Sequence, residues 1–343
     1  MVVDDERAMR RAIELGATVR ATAHPNPWVG CLLESVDGHT FEGATRPPGQ
    51  AHAEVVALDR AGDAARGATM WVTLEPCSHT ARTAPCVDAL VAAGVQRVVV
   101  AIEDPDHRVQ GRGIARLREA GIDVTVGVGA EAARTQLGPY IKHRTTGRPW
   151  VVLKLAATLD GRTAAPDGTS QWITGEAARA DAHRLRSESD AVLVGAGTVK
   201  ADDPALTVRL GRASQDERND IPDPLRVVLG HAPPGARCQP CLELSGELDG
   251  VLGDLGHRDV VQVLVEGGAT VAGAFHRAGL VDRYVLYLAP ALFGGDDAQP
   301  LFRGPGASTI ADVWRGRVES VEQLGDDLKV ELAPVTGEAC SPG

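Results

Sequence analysis

The sequence predicts an α/β protein of two domains, and three observations lead to this expectation. The chain has 343 residues, which is too many for one ordinary hydrophobic core and suits two domains of about 150 residues each. Short runs rich in Val, Leu and Ile alternate with segments of helical spacing, which is typical of sheets covered by helices. Hydrophobic residues make up 43% of the chain, and this share argues against disorder.

The first half of the chain alternates strands and helices after an opening helix. The predicted helices span residues 4–20, 51–62, 86–94, 113–121 and 130–144, and the predicted strands span 29–35, 68–74, 97–102 and 122–128. Gly62 and Gly94 close two of these helices, as glycine often does at a helix end. The alternation predicts a three-layer domain whose sheet is mostly parallel.

A second α/β series begins after the segment TTGRP (145–149), whose glycine and proline indicate a domain junction. We expect a first domain over residues 1–146, a second over 149–335 and a flexible tail over 336–343. The second domain is predicted to contain a helix over 176–187, a polar loop over 211–223, and strands over 150–156, 190–196, 225–230, 260–268, 282–290, 317–322 and 328–333.

Composition and charge narrow the class of function. The formal net charge of −11 disfavours a general nucleic-acid binder, because such proteins neutralise phosphates with basic surfaces. No apolar stretch of about 18 residues is present, and the charged N-terminal segment lacks the apolar core of a signal peptide. We therefore expect a cytoplasmic protein without a membrane partner. Six cysteines in a reducing compartment indicate metal or catalytic roles before disulfides.

Four residues in the first half predict a catalytic zinc site. Such a site needs three protein ligands and one open position for water, and His52, Cys77 and Cys86 offer the ligands. Cys77 directly follows a predicted strand and Cys86 opens a predicted helix, whose N-terminal partial charge stabilises a thiolate. Glu54 completes an H-x-E pair, in which the glutamate moves protons and does not bind the metal.

The spacing of the cysteines leaves alternatives open. Eight residues separate Cys77 from Cys86, whereas the common deaminase signature has two between its cysteines. A structural zinc site with His79 as fourth ligand, or a pair of buried thiols, would also fit the cysteines. Neither a structural zinc site nor a pair of buried thiols gives Glu54 a chemical role, so the catalytic interpretation is favoured. A nucleic-acid-editing deaminase would share this chemistry, but the acidic charge speaks against it.

Eight motifs in a fixed order resemble one enzyme family over about residues 5–333. They are HPNPWVGC (24–31), HAE (52–54), TLEPCSH (73–79), RTAPC (82–86), DGR (160–162), SQWIT (170–174), DDPALTVR (202–209) and VEGG (265–268). Together they closely resemble the bifunctional riboflavin-biosynthesis deaminase–reductases. The resemblance implies a cytidine-deaminase-like N-terminal domain and a dihydrofolate-reductase-like C-terminal α/β domain.

The resemblance also implies the two reactions and their cofactors. The first domain would use Zn²⁺ to deaminate a diaminopyrimidinone ribosylamine phosphate, and the second would use NADPH to reduce its ribosyl group to ribityl. Residues matching His52, Cys77 and Cys86 would bind zinc, with Glu54 as proton donor. The resemblance implies that the protein binds a free small-molecule substrate and no nucleic acid, and that it forms a homo-oligomer.

Residue-by-residue matching extends to the reductase domain. The positions implied to touch substrate are Ser170, Arg186, Leu206, Arg209 and Glu266. The positions implied to touch NADPH are Ala156, Trp172, Thr198, Asp202, Gly268, Ala269, Thr270, Val271, Ala272, Gly273 and Ala274.

The residues of the second domain agree with that assignment on chemical grounds. EGGATVAGAF (266–275) and GAGTV (195–199) each follow a predicted strand, and glycine-rich turns at such places can cradle a pyrophosphate. The guanidinium groups of Arg186 and Arg209 match phosphate oxygens, although most arginines are solvated surface charges. Lys154 and Asp160 are candidates for proton delivery or substrate binding.

Several positions depart from the family pattern. Thr45, Ala81 and Ala84 differ from the usual residues around the deaminase pocket, and Gly230–His231 stands where relatives usually carry an acidic residue and Ser or Thr. These departures keep open a third hypothesis, in which the zinc domain is structural and only the reductase is active. Cys238 and Cys241 form a C-x-x-C that we interpret as an incidental loop pair.

Overall fold

The chain divides after Arg148 into two compact units, residues 1–148 and 149–343. The computed structural model describes residues 4–78, 84–107, 109–210 and 221–335. Predictions that involve His79, Ala81, most of the loop 211–223 and the tail 336–343 fall outside the described residues.

Unit 1 contains five strands and seven α-helices within its described residues. The strands are β1 (Gly30–Glu34), β2 (Thr40–Ala44), β3 (Thr69–Val72), β4 (Arg97–Val100) and β5 (Asp123–Val126). The helices are α1 (Asp5–Thr18), α2 (Arg20–Ala23), α3 (Ala53–Ala61), α4 (Cys86–Ala93), α5 (Arg112–Glu119), α6 (Ala130–Gln136) and α7 (Gly138–Thr146), and a 3₁₀ turn spans Gly62–Ala65.

The five strands form one mixed sheet in the order β2-β1-β3-β4-β5. Strands β3, β4 and β5 are parallel, whereas β1 pairs antiparallel with both β2 and β3. Two of the four strand pairings are thus antiparallel, and the prediction of a mostly parallel sheet is wrong for those two pairings. The reason is that a tight turn around Gly38, whose φ is +83°, joins β1 to β2, and such a turn can connect only antiparallel strands.

Two glycines allow helices to pack closely on opposite faces of the first strand pair. A Cβ at Gly30 would lie 1.8 Å from Ala12 O in α1, and a Cβ at Gly43 would lie 2.0 Å from Ala53 O in α3. Gly43 pairs with Cys31, the neighbour of Gly30, so the two glycines face opposite sides of the sheet. The first unit therefore has the three layers that the sequence predicts, and the approach of α3 brings residues 52–54 onto the sheet.

Unit 2 is built on an eight-stranded sheet and a two-stranded ribbon. Its strands are β6 (Trp150–Thr158), β7 (Arg162–Ala164), β8 (Ala191–Gly195), β9 (Leu225–Leu229), β10 (Leu242–Leu244), β11 (Gln262–Val265), β12 (Arg283–Ala289), β13 (Gln299–Pro300), β14 (Gly316–Leu324) and β15 (Asp327–Pro334). Its α-helices in the described residues are α8 (Glu176–Ser187), α9 (Ala196–Asp202), α10 (Leu248–Gly256) and α11 (Ala269–Arg277).

The large sheet has the order β10-β9-β8-β11-β6-β12-β15-β14, and β7 pairs with β13 in the ribbon. Its first six strands are parallel, and β15 and β14 join antiparallel at the edge. Alternate side chains of β6 enter two cores. Leu153 packs in the core that α10 and α11 cover, and Val152 packs in the core that α8 and α9 cover. Lys154 lies on the same face as Val152, beneath α8.

The α/β fold class is confirmed in both units. Helix α8 has the predicted bounds, and each predicted strand overlaps an observed one. The predicted helix over 130–144 is two helices, because Leu137 leaves helical geometry ahead of Pro139. Strand β2, which is only partly buried and lacks strong periodicity, is absent from the prediction. Helix α10 is also absent from it, although its Leu248, Val251, Leu252 and Leu255 follow helical spacing. Among the described residues, none of the helices combines the length and apolar character that crossing a bilayer requires.

Candidate functional sites

Three metal-ligand side chains meet at the helix N-termini of unit 1. His52 immediately precedes α3, Cys77 follows β3 after a short turn, and Cys86 is the first residue of α4. The His52 Nδ1 lies 3.2 Å from Cys86 Sγ and 3.7 Å from Cys77 Sγ, and the three ligand atoms all lie within 4.8 Å of one another. The spacing of eight residues between the cysteines therefore still brings both thiols to one point.

The surroundings favour a thiolate at this cluster. The Cys86 thiol and backbone N–H and the His52 ring all hydrogen-bond to Cys77 Sγ, and these donors lower the pKa of the Cys77 thiol. Two sulfurs and one imidazole nitrogen form a donor set that zinc prefers, and three protein ligands leave one position open for water. The residues present therefore fit a catalytic zinc ion.

Glu54 lies beside the cluster in the first turn of α3. Its side chain is 3% exposed, and its carboxyl interacts with the Cys86 thiol and with the charges of His52 and Cys77. Burial raises the pKa of the Glu54 carboxyl, because the charged form loses its hydration. A buried carboxyl next to an open metal position can hold a proton during a reaction.

Glu75 is a functional residue that the sequence analysis does not single out. Its two carboxylate oxygens accept hydrogen bonds from the backbone N–H groups of Asp104, Gly111, Gly113 and Ile114 at 2.8–3.1 Å. Four donors on one buried carboxylate fasten the turn that carries Cys77 to the start of α5. The only sign of this contact in the sequence is the position of Glu75, which comes shortly after a buried strand in the motif TLEPC.

The departures from the family pattern can be located in part. The Thr45 hydroxyl accepts a hydrogen bond from Val29 N at 3.1 Å and is buried, so it holds the start of β1 in place. Ala84 is exposed just before Cys86. Neither residue disturbs the ligand cluster.

A cleft of about 600 Å³ lies in unit 2 beneath α8. It brings together six residues that the sequence predicts as ligand contacts, namely Trp172, Arg186, Asp202, Leu206, Arg209 and Glu266. Lys154 also lines the cleft, whereas Asp160 lies outside it and instead accepts hydrogen bonds from the Thr158 hydroxyl in its own turn and from Gly294 N in the loop after β12. Ser170 is half-buried two residues before Trp172, outside the lining.

A buried ion pair crosses this cleft. Arg186 Nε donates to Glu266 Oε1 at 3.0 Å and Arg186 Nη2 donates to Oε2 at 2.8 Å, while Nη1 donates to Thr207 O at 2.6 Å. The two side chains are only 10% and 12% exposed. Arg186 is thus largely occupied by Glu266, and its guanidinium holds that carboxylate in one orientation.

Further titratable groups face the same pair. Lys154 is half-buried near it, and desolvation lowers the pKa of the Lys154 ammonium, against an opposing effect of Glu266. The His183 imidazole lies between Arg186 and Arg209, and burial followed by those two cations lowers its pKa to about 4. His183 is therefore neutral near neutral pH, and its Nδ1 accepts a hydrogen bond from Arg209 N at 3.2 Å.

The predicted cofactor turns lie at the carboxyl ends of neighbouring strands. Thr198 in α9 accepts a hydrogen bond from Gly268 N at 3.1 Å, which joins the turn after β8 to the turn after β11. Ala156 lies near the end of the adjacent β6. Open parallel sheets bind ligands at this edge. Along the 268–274 segment, Ala272 and Gly273 are buried, so the exposed first turn of α11 is the part open to a ligand.

Two further arginines of the cleft are absent from the prediction. Arg179 in α8 lies with its guanidinium carbon 4.8 Å from the Trp172 ring centroid, and Arg237 reaches the cleft from a loop after β9. Trp172 itself is 67% exposed, so it is no core aromatic. Helical spacing could indicate Arg179, but only the tertiary fold brings Arg237 here.

Comparison with known proteins agrees with both sites. Residues 2–102 match the cytidine and deoxycytidylate deaminase zinc-binding region, and residues 149–330 match the RibD C-terminal domain. The chain is 40% identical over 365 residues to the riboflavin biosynthesis protein RibD of Escherichia coli K12, covering 96% of this chain and 99% of that protein. It is 45% identical over 341 residues to RibD of Mycobacterium tuberculosis H37Rv, covering 95% and 96%.

Solved structures give the same result over the full length. Form 1 of Acinetobacter baumannii RibD superposes with a TM-score of 0.90 at 38% identity, covering 97% of this chain and 99% of that chain. A deaminase/reductase from Thermotoga maritima superposes with a TM-score of 0.84 at 31% identity, covering 96% and 98%. The chain therefore belongs to the RibD family of riboflavin-biosynthesis enzymes, which join a zinc deaminase domain to an NADPH-dependent reductase domain.

Proposed function

We propose that the chain deaminates diaminohydroxyphosphoribosylaminopyrimidine in its first domain and reduces 5-amino-6-(5-phosphoribosylamino)uracil in its second, the reactions named for the Thermotoga maritima relative. The observation that carries the proposal is the cluster of His52, Cys77 and Cys86 with buried Glu54 beside it. The domains are assigned to residues 1–146 and 149–335, with 336–343 as a tail.

In the deaminase reaction, we assign His52, Cys77 and Cys86 as zinc ligands. These three ligands would hold a zinc ion, which would supply the nucleophile by lowering the pKa of a water towards neutrality. Glu54 takes a proton from this water as its oxygen bonds to the amine-bearing ring carbon, and then gives the proton to the amine. The carbon–nitrogen bond breaks and ammonia leaves. Because Glu54 is buried, bulk water does not compete for the proton.

In the reductase reaction, NADPH supplies a hydride for the opened ribose. Ala156, Trp172, Thr198, Asp202 and the segment 268–274 are assigned to the cofactor. Arg186 orients Glu266 towards the substrate through two hydrogen bonds. Lys154 is half-buried and lines the cleft, where it can bind a substrate oxygen or deliver a proton. Ser170 and Leu206 complete the substrate side.

Arg209 is assigned to the phosphate of the substrate. Its guanidinium is exposed in the cleft and contacts only the neutral His183 among the described residues, whereas Arg186 is already paired with Glu266. An unpaired guanidinium suits a dianionic phosphate.

This assignment gives a first test. Replacing Arg209 with Ala should raise the KM for the phosphorylated substrate about tenfold, as expected for one charge-assisted hydrogen bond, and leave the Kd for NADPH within about twofold. Steady-state kinetics and calorimetric titration with NADPH would measure the two constants. Equal losses of both would contradict the division between substrate and cofactor residues.

A coupled assay tests the two-step function. With the diaminopyrimidine substrate and NADPH, the intact enzyme should release ammonia and oxidise NADPH. Removing zinc with a chelator should stop ammonia release, because the nucleophilic water loses its activation, while the deaminated intermediate should still support NADPH oxidation. NADPH oxidation without any ammonia release by the zinc-loaded enzyme would instead indicate a structural zinc domain.

We further propose that the enzyme is a cytoplasmic homo-oligomer that acts on free small molecules and binds no nucleic acid. The acidic net charge of −11 and the resemblance to the family support this proposal. The five cysteines within the described residues are all free thiols, as a reducing compartment allows. A gel shift with tRNA or single-stranded DNA would contradict the proposal that the enzyme binds no nucleic acid.

A further inference from the structure

Three arginines at the reductase cleft have no carboxylate partner in the part of the chain that the structure describes. They are Arg179, Arg209 and Arg237. Arg179 donates to the Thr174 carbonyl and stacks near Trp172, and Arg209 contacts His183. Arg186, in contrast, is neutralised by Glu266. Unneutralised guanidinium groups that line one cleft provide a local positive field in an otherwise acidic protein.

Arg237 differs from an ordinary surface arginine because its backbone is fixed on both sides. Its own N–H donates to Asp203 Oδ1 at 2.8 Å. The next residue, Cys238, is 0% exposed and packs in the core that α8 and α9 cover. Arg226 Nη1 donates to the carbonyl of Gln239 at 3.3 Å. The C-x-x-C pair thus has a packing role on this side, in which Cys238 anchors the loop that presents Arg237.

The anchor on Asp203 places Arg237 beside the segment that carries the substrate residues. Asp203 lies directly between Asp202 and Pro204, and Asp202, Leu206 and Arg209 of that segment line the same cleft as Arg237. Arg209 and Arg237 therefore line one cleft from two chain segments that the Asp203 hydrogen bond joins.

We propose that Arg237 is a ligand for a phosphate monoester in the reductase cleft, which it shares with Arg209 if the phosphate belongs to the substrate and binds without Arg209 if it belongs to NADPH. The inference rests on the proposed function, because both of its ligands carry such a group, the substrate on its ribose and NADPH on its adenosine ribose. A guanidinium fork can donate two hydrogen bonds to a phosphate dianion, and the fixed loop reduces the entropy lost when Arg237 is ordered. The two sources of phosphate are separable by experiment.

The test compares Arg237→Ala with Arg258→Ala in the full-length enzyme. Arg258 is an exposed arginine that does not line the cleft, so its replacement changes the net charge equally. If the substrate supplies the phosphate, Arg237→Ala should raise the KM for the phosphorylated substrate about tenfold with kcat unchanged, and its effect should shrink as ionic strength rises. If NADPH supplies it, the calorimetric Kd for NADPH should rise about tenfold while that for NADH stays constant.

Either result supports the proposal and identifies the source of the phosphate. Arg237→Lys keeps the positive charge but lacks the guanidinium fork, so its KM or Kd should lie between the values of the wild type and the alanine variant. A merely structural role of Arg237 would not produce this intermediate value. The proposal is overturned if Arg237→Ala matches Arg258→Ala in both arms, or if NADH binding weakens as much as NADPH binding. Failure of the wild-type enzyme to oxidise NADPH would instead refute the proposed function.

Discussion

Replacing Glu54 with Gln is expected to abolish deamination while zinc stays bound. Glutamine preserves the shape of the side chain but cannot accept the proton of the attacking water, and loss of general acid–base catalysis costs about 100- to 10,000-fold in rate. The proposed metal ligands are His52, Cys77 and Cys86, so the substitution removes none of these ligand atoms. Ammonia release under saturating substrate, together with zinc content by atomic absorption, would measure both effects.

A matched variant is available on the same helix. Asp59 is an exposed carboxylate of α3, and Asp59→Asn removes the same charge without touching the cluster. It should keep wild-type deamination, and both variants should oxidise NADPH normally when given the deaminated intermediate. Retention of more than about a tenth of the wild-type rate by Glu54→Gln would refute the proton-transfer role.

Replacing Arg186 with Met is expected to cause the largest loss of stability in unit 2. The substitution leaves the Glu266 carboxylate buried without its bidentate partner, and breaking a buried pair from one side costs about 3–5 kcal/mol of unfolding free energy. Lys154 still offsets part of the charge, so a value near the lower limit is expected. Denaturant unfolding of the reductase unit would measure the loss, with ammonia release as a readout of unit 1.

The effect of this substitution should depend on pH in a definite direction. Burial opposes the charge on Glu266, but Arg186 and Lys154 outweigh it and lower the pKa of the carboxyl in the folded state. The stabilisation is thus present above the usual pKa of a glutamate and is lost as the pH falls through the lowered value. The difference between wild type and variant should therefore shrink in acid.

A double variant separates the charge from the packing. Arg186→Met combined with Glu266→Gln removes the uncompensated carboxylate and should recover most of the lost stability, although substrate binding would remain impaired. An unfolding free energy of Arg186→Met within about 0.5 kcal/mol of the wild-type value would show that the pair does not contribute as described.

Much of the metal site could be predicted because its ligands occupy chain positions with a recognisable local pattern. His52 immediately precedes a helix, Cys86 begins one, and Cys77 follows a strand, so secondary structure alone brings them to one edge of the sheet. The sequence alone could not decide whether eight intervening residues would allow both thiols to meet.

The residues that escaped prediction depend on contacts distant in sequence. Glu75 acts through backbone groups about 30 to 40 positions away, and the loop that carries Arg237 is held at the cleft by Asp203 and by buried Cys238. Likewise, the pairing of β2 with β1 depends on a turn between strands of which the second is only partly buried. Local periodicity carries no information on such contacts.

The Glu75 carboxylate has a kinetic consequence for the metal. The Glu75 carboxylate joins the Cys77 turn to the backbone N–H groups of Gly111 and Gly113. If the start of α5 unfolded locally, the carboxylate would lose these donors and the Cys77 thiol would lose its fixed position in the same event. We therefore expect the loss of bound zinc to be coupled to local unfolding of this segment. The rate of metal exchange thereby reports the free energy of opening in this part of the deaminase domain.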